Sequence, residues 1–412
     1  MENQEMKYDF ETIIDRSGKD ALAVDVPEKE RAEKNGYFGV PLQEGMDAIP
    51  MWVADMNFAA PPIIPETIKK RLDHPVYGYF SPREEYFQAI IQWQKERNHA
   101  DTLTEECIGY ENGVLGGVVS AANVLCSKGD KILVHSPTYV GFTGALGNAG
   151  YELVHSPLYQ DEDQVWRMDF EDMERKIIEQ KIHTAILCSP HNPTGRAWER
   201  WELEKAMELF RKHDVYVISD EIWSDLYLEE YHHIPTQSVS EDAKMRTIAF
   251  YAPSKTFNLA GLIGSYHIVY NGWLRDRLRK ESSLSHYNSM NLLSMYALLG
   301  AYTEEGQEWL EQLKQVLTKN ATYACDFIEK HWKGVKVSRP QATYMLFLDC
   351  KDWCREKGIS MDEVQKAGLE VGVLWQDGRA FHGEYAIRMN LALPFARVKE
   401  AFDRLDQYVF GK

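Results

Sequence analysis

The sequence has no apolar stretch long enough to cross a membrane and few cysteines. No run approaches the roughly 18 apolar residues of a membrane-spanning helix, and the polar start, Met1 to Lys19, lacks an apolar signal-peptide core. The 6 cysteines form no CxxC pair, and Cys350 and Cys354 have no histidine partners at zinc spacing, so we expect no metal site. These absences predict a cytoplasmic protein with reduced cysteines.

Positive charge is also scarce, because 46 basic residues stand against 63 acidic ones and the formal net charge is −17. Binding to nucleic acid or to an anionic membrane depends on neutralising phosphate groups, so this balance predicts neither as a partner. It leaves open a small anionic ligand held in a local pocket. At 412 residues the chain exceeds what one hydrophobic core usually serves, and we expect two domains.

The middle of the chain alternates short apolar runs with amphipathic segments. The runs of strand length are Lys131–His135, Thr184–Cys188, Val215–Ser219 and Thr247–Tyr251. Runs without polar alternation are typical of strands buried on both faces, and Glu199–Asp214 between two of them has helical periodicity. The pattern predicts an α/β fold with a mostly parallel sheet, whose ligands lie at the carboxyl ends of the strands.

The pattern changes after about Ser282, where two long helical segments precede two further strands and a closing helix. This part predicts an α+β unit, onto which the N-terminal arm folds back. We therefore expect an N-terminal arm over 1–60 that is part of a small domain, a large domain over 61–290 and a C-terminal small domain over 291–412.

Lys255 is the most informative residue, because it follows the apolar run Thr247–Tyr251. Burial at a strand end disfavours the ammonium form, and a lysine in that state can form a Schiff base with an aldehyde and move protons on carbon. A lone lysine is more often a solvated surface group. Three further strand ends change that interpretation.

Two polar groups follow neighbouring strands. Asn192 lies in Ser189-Pro-His-Asn-Pro-Thr-Gly195, where it points toward the strand end, and Asp220 ends the third run, where a carboxylate can pair with a protonated ring nitrogen. Taken alone, the first is equally well a connector, and the second a helix cap. Near the start, Gly113-Val114-Leu115 opens an apolar helix whose free amides suit a phosphate, and Tyr139 places an aromatic ring at the same edge.

A phosphate cradle, a stacking ring, an amide, a carboxylate and a lysine at successive strand ends are what pyridoxal phosphate requires. Their order resembles that of fold-type-I pyridoxal-phosphate enzymes, the aspartate aminotransferase superfamily. Over about residues 8–410 the chain is similar, more narrowly, to the MalY/PatB group of cystathionine β-lyases (C–S lyases). The segments that carry this similarity are Pro50–Phe58, Gly78-Tyr79, Ser219–Ile222, Ser254–Gly261 and Ile387–Pro394.

The resemblance implies a role for each matching residue. Lys255, preceded by Ser254, would form the Schiff base with the cofactor aldehyde, Asp220 would hold the ring nitrogen protonated, and Asn192 would bond the ring hydroxyl. The remaining matches are Tyr139 stacked on the ring, Val114 and Leu115 at the phosphate, Arg388 at the substrate carboxylate, and Tyr79 donated by the neighbouring subunit of a homodimer with shared active sites. Asp55 lies at the entrance without an assigned chemistry.

The chain departs from the aminotransferase pattern at three positions. Trp223 replaces the usual tyrosine three residues after the ring aspartate, Ala252 replaces a serine, and Ile263 stands where many aminotransferases have a phosphate-binding arginine. Trp223 has no hydroxyl to offer the cofactor, which it would contact through its ring alone. These changes argue against a dedicated transaminase.

The expected reaction is therefore the α,β-elimination of an L-amino acid with a leaving group on its β-carbon, such as cystathionine or a cysteine S-conjugate, with Lys255 as the base and Tyr139 as a second proton donor. An aminotransferase on the same cofactor is the alternative, and a regulatory role through partner binding is the third hypothesis. The pair His232-His233, without a partner at metal spacing, is predicted to lie in a solvated loop.

Overall fold

The structure, a computed structural model, describes residues 6–26, 38–228, 230–285 and 288–411, without the side chain of Ser285. Residues 1–5 and 27–37 of the predicted N-terminal arm therefore lie outside the described part. In chain order the strands are β1 (Ile49–Pro50), β2 (Ile108–Asn112), β3 (Lys131–Ser136), β4 (Glu152–Pro157), β5 (Tyr159–Gln160), β6 (Trp166–Arg167), β7 (Thr184–Cys188), β8 (Tyr216–Asp220), β9 (Thr247–Tyr251), β10 (Gly264–Ile268), β11 (Lys336–Val337), β12 (Met345–Asp349), β13 (Val373–Leu374), β14 (Gln376–Asp377) and β15 (Ala386–Asn390).

In the same order the helices are α1 (Ile63–Leu72), α2 (Glu84–Asn98), α3 (Val114–Leu125), α4 (Val140–Asn148), α5 (Phe170–Gln180), α6 (Arg200–Lys212), α7 (Glu241–Arg246), α8 (Pro253–Thr256), α9 (Gly272–Ser285), α10 (Leu292–Ala301), α11 (Glu304–His331), α12 (Lys351–Lys357), α13 (Met361–Glu370) and α14 (Phe395–Leu405). Within the described residues, no helix combines the length and the apolarity that crossing a bilayer requires.

The central sheet has 7 strands in the order β2-β10-β9-β8-β7-β3-β4. Strand β8 pairs in parallel with β7 and β9, and β3 pairs in parallel with β7 and β4. Only β10, among these seven, runs antiparallel to its neighbours, β2 and β9. The predicted α/β class with a mostly parallel sheet is thus confirmed.

Helices cover both faces of this sheet. Ile186 of β7 and Ile218 of β8 belong to the core that includes α3, whereas Ala185 and Val217 belong to the opposite core that includes α6. Because both faces are buried, these strands show no polar alternation in the sequence. On the first face α3 packs so closely on β9 that a Cβ on Gly117 would come within 2.4 Å of the Phe250 ring.

The predicted helix between β7 and β8 forms as α6. It begins with a capping box, in which Glu199 and Glu202 exchange side-chain and backbone hydrogen bonds. Leu203 and Phe210 lie on its buried face, as the periodicity predicts.

The C-terminal part contains a second sheet of 4 antiparallel strands, β11-β12-β15-β14. The 28-residue helix α11 and helix α14 share a hydrophobic core with it, which also takes in Phe10 and Met51 of the N-terminal arm. Strand β1 pairs in parallel with β13, so backbone hydrogen bonds also join the arm to this part. The exact boundaries of the two domains stay a prediction.

Candidate active site

A cavity of about 250 Å³ opens at the carboxyl ends of the central parallel strands. The ladder aligns these ends, because Cys188 of β7 lies opposite Asp220 of β8, and Asp220 lies opposite Phe250 of β9. The predicted site residues that line the cavity are Val114, Leu115, Tyr139, Asn192, Asp220, Trp223, Ser254 and Lys255. Residues scattered over 142 positions of sequence, from 114 to 255, thus meet at one edge of the sheet.

Lys255 lies in the short helix α8, directly after β9. Its Nζ donates a hydrogen bond to the carbonyl oxygen of Ala54 at 2.7 Å. Burial, followed by the positive charge of Arg388, lowers the pKa of Lys255 to about 8, against the opposing charges of Asp55 and Asp220. Roughly a tenth of the lysine is therefore an uncharged amine at pH 7, far more than for an ordinary lysine, and this is the form that attacks carbonyl groups and accepts protons.

Asp220 ends β8 and is buried at the floor of the cavity. Its Oδ1 accepts a hydrogen bond from the Ile222 amide at 3.1 Å. Burial raises the pKa of Asp220 to about 7, and the negative charge of Glu221 acts in the same direction. A cationic group placed in the cavity would therefore stabilise the charged form of Asp220 strongly.

Directly behind Asp220, Glu221 is fully buried and carries its own set of donors. The side chains of Ser219, His233 and Tyr251 donate to it at 2.8, 2.7 and 2.6 Å, and the Thr236 amide at 3.1 Å. The prediction of a solvated His232-His233 pair is therefore wrong for His233, which is 8% exposed. The segment turns inward there because the buried Glu221 carboxylate requires a hydrogen-bonding partner.

Arg388 lies on β15 and reaches the cavity region from the C-terminal part. Its Nη1 donates to Asn192 Oδ1 at 3.2 Å, and its Nη2 donates to the Trp52 carbonyl at 3.0 Å and to Gln376. Its buried Nε has no hydrogen-bond partner within the part of the chain that the structure describes. Burial lowers the pKa of Arg388 to about 10, so the guanidinium remains charged at neutral pH.

No ion pair among the described residues includes Arg388. A buried guanidinium with neutral partners and a spare N–H is suited to binding a carboxylate supplied by a ligand. The structure thus brings Arg388 and Asn192 into contact, although they are 196 positions apart in the sequence.

The phosphate end of the cavity is formed by Gly113 and the first turn of α3. Gly113 has a φ of +86°, which favours glycine, and the first helical bond runs from the Gly117 amide to the Gly113 carbonyl. The amides of Val114 and Leu115 precede that bond and are free for an anion. Ile263, with a φ of +61°, lies next to Gly113. An apolar side chain thus occupies the position at which many aminotransferases have a phosphate-binding arginine.

These residues fit pyridoxal 5'-phosphate by the chemistry of their donors and acceptors. The buried Asp220 suits a protonated ring nitrogen, the free amides of Val114 and Leu115 suit the phosphate, and the lowered pKa of Lys255 suits Schiff-base formation. Tyr139, which starts α4, and Trp223 provide aromatic surface on the cavity wall, and Ser254 provides a hydroxyl. These specific roles stay predictions.

Tyr79 does not line this cavity, and its side chain is fully exposed. Tyr344, in contrast, was missed by the sequence reasoning. Its hydroxyl donates to the Ala54 carbonyl at 3.0 Å, beside Lys255, and its ring packs edge-on against Trp223 with centroids 4.8 Å apart. Neither spacing nor composition distinguishes it from the other core tyrosines.

A mostly parallel sheet with a lysine, a carboxylate and a helix N-terminus at its carboxyl edge defines a fold-type-I pyridoxal-phosphate enzyme. The family described as aminotransferase class I and II matches residues 55–405. The chain belongs to this family.

Individual relatives agree with that assignment. The chain is 34% identical over 362 residues to cystathionine beta-lyase PatB of Bacillus subtilis (87% of this chain, 92% of PatB). It is 29% identical over 406 residues to protein MalY of Escherichia coli (95% and 96%). The crystal structure of cystalysin from Treponema denticola, which contains pyridoxal 5'-phosphate, superposes with a TM-score of 0.89 at 31% identity, covering 98% of each chain. The predicted cofactor and relationship are confirmed.

Proposed function

We propose that this chain is a pyridoxal-phosphate-dependent carbon–sulfur β-lyase, which converts L-cystathionine or a cysteine S-conjugate to pyruvate, ammonia and a thiol. The observation that carries the proposal is the placement of Arg388, which bonds to the cavity residue Asn192, close enough to Lys255 for its charge to act on the lysine. One is a buried cation without a carboxylate partner among the described residues, and the other is a base with a lowered pKa. Together they suit an α-amino acid substrate.

The bound cofactor supplies an electron sink for negative charge at the substrate α-carbon. Arg388 binds the substrate carboxylate and so directs the Cα–H bond toward Lys255. The Lys255 amine takes the α-proton, and Asp220 holds the ring nitrogen in its protonated form. The Cβ–S bond then breaks, and Lys255 or Tyr139 returns a proton to the departing thiolate. The remaining 2-aminoacrylate hydrolyses to pyruvate and ammonia.

The nature of residue 223 favours elimination over transamination. Trp223 is buried against Tyr344 and provides no hydroxyl to the cavity. PatB, which carries cystathionine beta-lyase in its name, is among the similar relatives. Aminotransferase activity is the alternative, and it requires an amino acceptor.

The deciding experiment incubates the purified, cofactor-loaded protein with L-cystathionine and with S-methyl-L-cysteine, without any keto acid. Pyruvate is followed with lactate dehydrogenase and thiol with a chromogenic disulfide. A lyase releases both in equal amounts. L-Alanine, which lacks a β-leaving group, is the matched control substrate. Keto acid formation that depends on added 2-oxoglutarate, with no thiol release, would instead assign a transaminase.

We also propose a cytoplasmic homodimer in which Tyr79 enters the neighbouring active site. The support is the exposure of large apolar side chains around it, namely Val76 (59%), Tyr77 (57%), Tyr79 (111%) and Phe80 (37%). Such a cluster is typical of a surface that is covered in an assembly. All six cysteines lie in the described part of the chain and none is in a disulfide, which fits a reducing compartment.

Mixing two inactive variants tests the shared site. A hybrid of Tyr79→Ala and Lys255→Ala subunits contains one site with its own Lys255 and the partner's tyrosine, so activity returns on mixing. Light scattering gives the oligomeric state of each sample. Activity that does not return, in a sample proven to contain hybrid dimers, contradicts the donation of Tyr79.

A further inference from the structure

The segment 52–58, whose Ala54 lines the cavity, contains neither helix nor strand, and side chains from distant elements bond to its backbone. Arg388 bonds to the Trp52 carbonyl and Asn390 to the Val53 and Asp55 carbonyls. Asn258 and Arg16 both bond to the Met56 carbonyl. Backbone carbonyls outside helices and sheets need other partners, and in this segment side chains provide them.

The carbonyl of Ala54 lies in the middle of this segment and accepts two hydrogen bonds. One comes from Lys255 Nζ at 2.7 Å, and the other comes from the Tyr344 hydroxyl at 3.0 Å. A carbonyl oxygen has two lone pairs, so both are engaged. The Lys255 amino group and the Tyr344 hydroxyl therefore share one acceptor and compete for the negative charge of its oxygen, so that each bond weakens the other.

Tyr344 is a neutral hydroxyl donor at all ordinary pH values. Its side chain is 3% exposed, and burial, with the negative charge of Asp55, raises its pKa well above the ordinary value. The competition for the Ala54 carbonyl is therefore constant while Lys255 gains or loses its proton.

The other charged groups that face Lys255 come from three elements. They are Asp220 at the end of β8, Arg388 on β15 and Asp55 in the segment itself. Tyr139, which faces Asp220 and Arg388 from the start of α4, is also neutral, because burial raises its pKa. None of these groups donates to the Ala54 carbonyl, so its hydrogen bonds are a separate influence on the lysine.

We propose that Tyr344 is a positioning residue for Lys255, which weakens the hold of the Ala54 carbonyl on the lysine and keeps its amine available for proton transfer. This inference rests on the proposed function for its catalytic meaning, since Lys255 is the base there. An ammonium group gains more from a carbonyl acceptor than a neutral amine does. Without the tyrosine hydroxyl, the Ala54 carbonyl accepts a hydrogen bond from Lys255 only. That bond becomes stronger, and the ammonium form of Lys255 is favoured.

The test replaces Tyr344 by phenylalanine, which removes the hydroxyl and keeps the ring against Trp223. The matched control is Tyr266→Phe, because Tyr266 is also fully buried and its hydroxyl bonds to Gln94, away from the cavity. The pKa of Lys255 is measured in the cofactor-free full-length protein by competitive acetylation over a pH series, with quantitation of the Lys255 peptide by mass spectrometry.

We expect the pKa of Lys255 to rise by about 0.5 to 1 unit in Tyr344→Phe and to stay unchanged in Tyr266→Phe. In the loaded enzyme kcat at neutral pH then falls about threefold to tenfold and recovers at higher pH. KM for the substrate stays constant, because Arg388 is untouched. A Lys255 pKa equal to that of the wild type in a folded Tyr344→Phe protein, or an equal shift in the control, overturns the proposal.

A second variant should shift the pKa of Lys255 in the opposite direction, so the proposal can still be tested if Tyr344→Phe does not fold. Asn390→Ser releases the carbonyls on both sides of Ala54 and so loosens the acceptor itself, which lowers the pKa of Lys255. An unchanged or raised value there contradicts the role of this carbonyl. The labelling needs no turnover, so a failure of the proposed lyase reaction, with no pyruvate from the wild type, is distinguished from a failure of this inference.

Discussion

Buried charged groups in the core and at the cavity differ in the partners that the chain provides for them. Arg97 pairs with Asp225 at 2.9 Å, with both side chains 5% exposed, and Arg196 pairs with Glu202. Arg388 is buried to a similar extent, but within the described residues its hydrogen bonds go only to carbonyl and amide oxygens, and its guanidinium lies over the Phe381 ring. Arg97 and Arg196 thus have a counter-ion within the chain, whereas Arg388 has none among the described residues.

The adjacent carboxylates Asp220 and Glu221 show the same difference. Burial raises the pKa of Glu221, but the nearby His233 and the hydrogen bonds that Glu221 accepts outweigh it and hold the pKa below the ordinary value. Asp220, with one amide donor, has a raised pKa instead. The protein thus stabilises the charged carboxylate of Glu221 inside the core and disfavours that of Asp220 at the cavity. The following predictions test this division, from the largest effect to the smallest.

Lys255→Ala should reduce pyruvate release on the order of 10⁴-fold or more, because the base that takes the α-proton is lost. The coupled pyruvate assay measures this effect directly. Lys314→Ala is the control, since Lys314 is also largely buried but bonds to Glu311 and lies outside the cavity. Full pyruvate release from Lys255→Ala would refute the assignment.

Arg97→Gln should lower the free energy of unfolding by about 3–5 kcal/mol, because it leaves Asp225 buried without its cation. KM should stay unchanged. Arg388→Gln should do the reverse, with a loss of roughly 30- to 150-fold in kcat/KM and a smaller change in stability. Urea unfolding and steady-state kinetics on both variants separate the two classes. Equal kinetic losses in both would end the distinction.

Asp220→Asn should stabilise the cofactor-free protein at alkaline pH while weakening cofactor binding. The pKa of Asp220 is 3.8 when unperturbed and about 7 in the fold, so the wild type loses stability as pH rises between these values. Asparagine does not titrate and is spared that loss. The stability advantage of the variant should therefore grow by about 2.6 kcal/mol between pH 5 and pH 8 in thermal unfolding. An advantage that is independent of pH would contradict the raised pKa.

His233→Gln should cost about 1 kcal/mol of stability, because the hydrogen bond to Glu221 is weakened. The neighbouring His232→Gln should change stability by less than about 0.5 kcal/mol, since His232 is exposed. Denaturant midpoints of the two variants give the comparison. Indistinguishable midpoints would mean that the buried Glu221 cluster does not need the histidine.

The sheet, the strand ends and most cavity residues were predictable, because continuous apolar runs and the residues that follow them are local features of the chain. The lining by Lys255, Asp220 and Asn192 was deduced from the rule that parallel strands end at one edge. His233 and Tyr344 were not predictable in this way. Their roles depend on contacts with Glu221 and Ala54 that are set by tertiary packing, and a sequence pattern carries no trace of them.

The hydrogen bonds to the Ala54 carbonyl also have a consequence for biosynthesis. Ala54 is 201 positions from Lys255 and 290 positions from Tyr344 in the sequence. Contacts of such long range form late, after most of the chain has folded. The charge of Arg388 on β15, which helps burial to lower the proton affinity of Lys255, likewise acts only in a chain whose C-terminal part has already docked. Only complete, folded chains should therefore bind the cofactor tightly, and chains still being synthesised should not bind it.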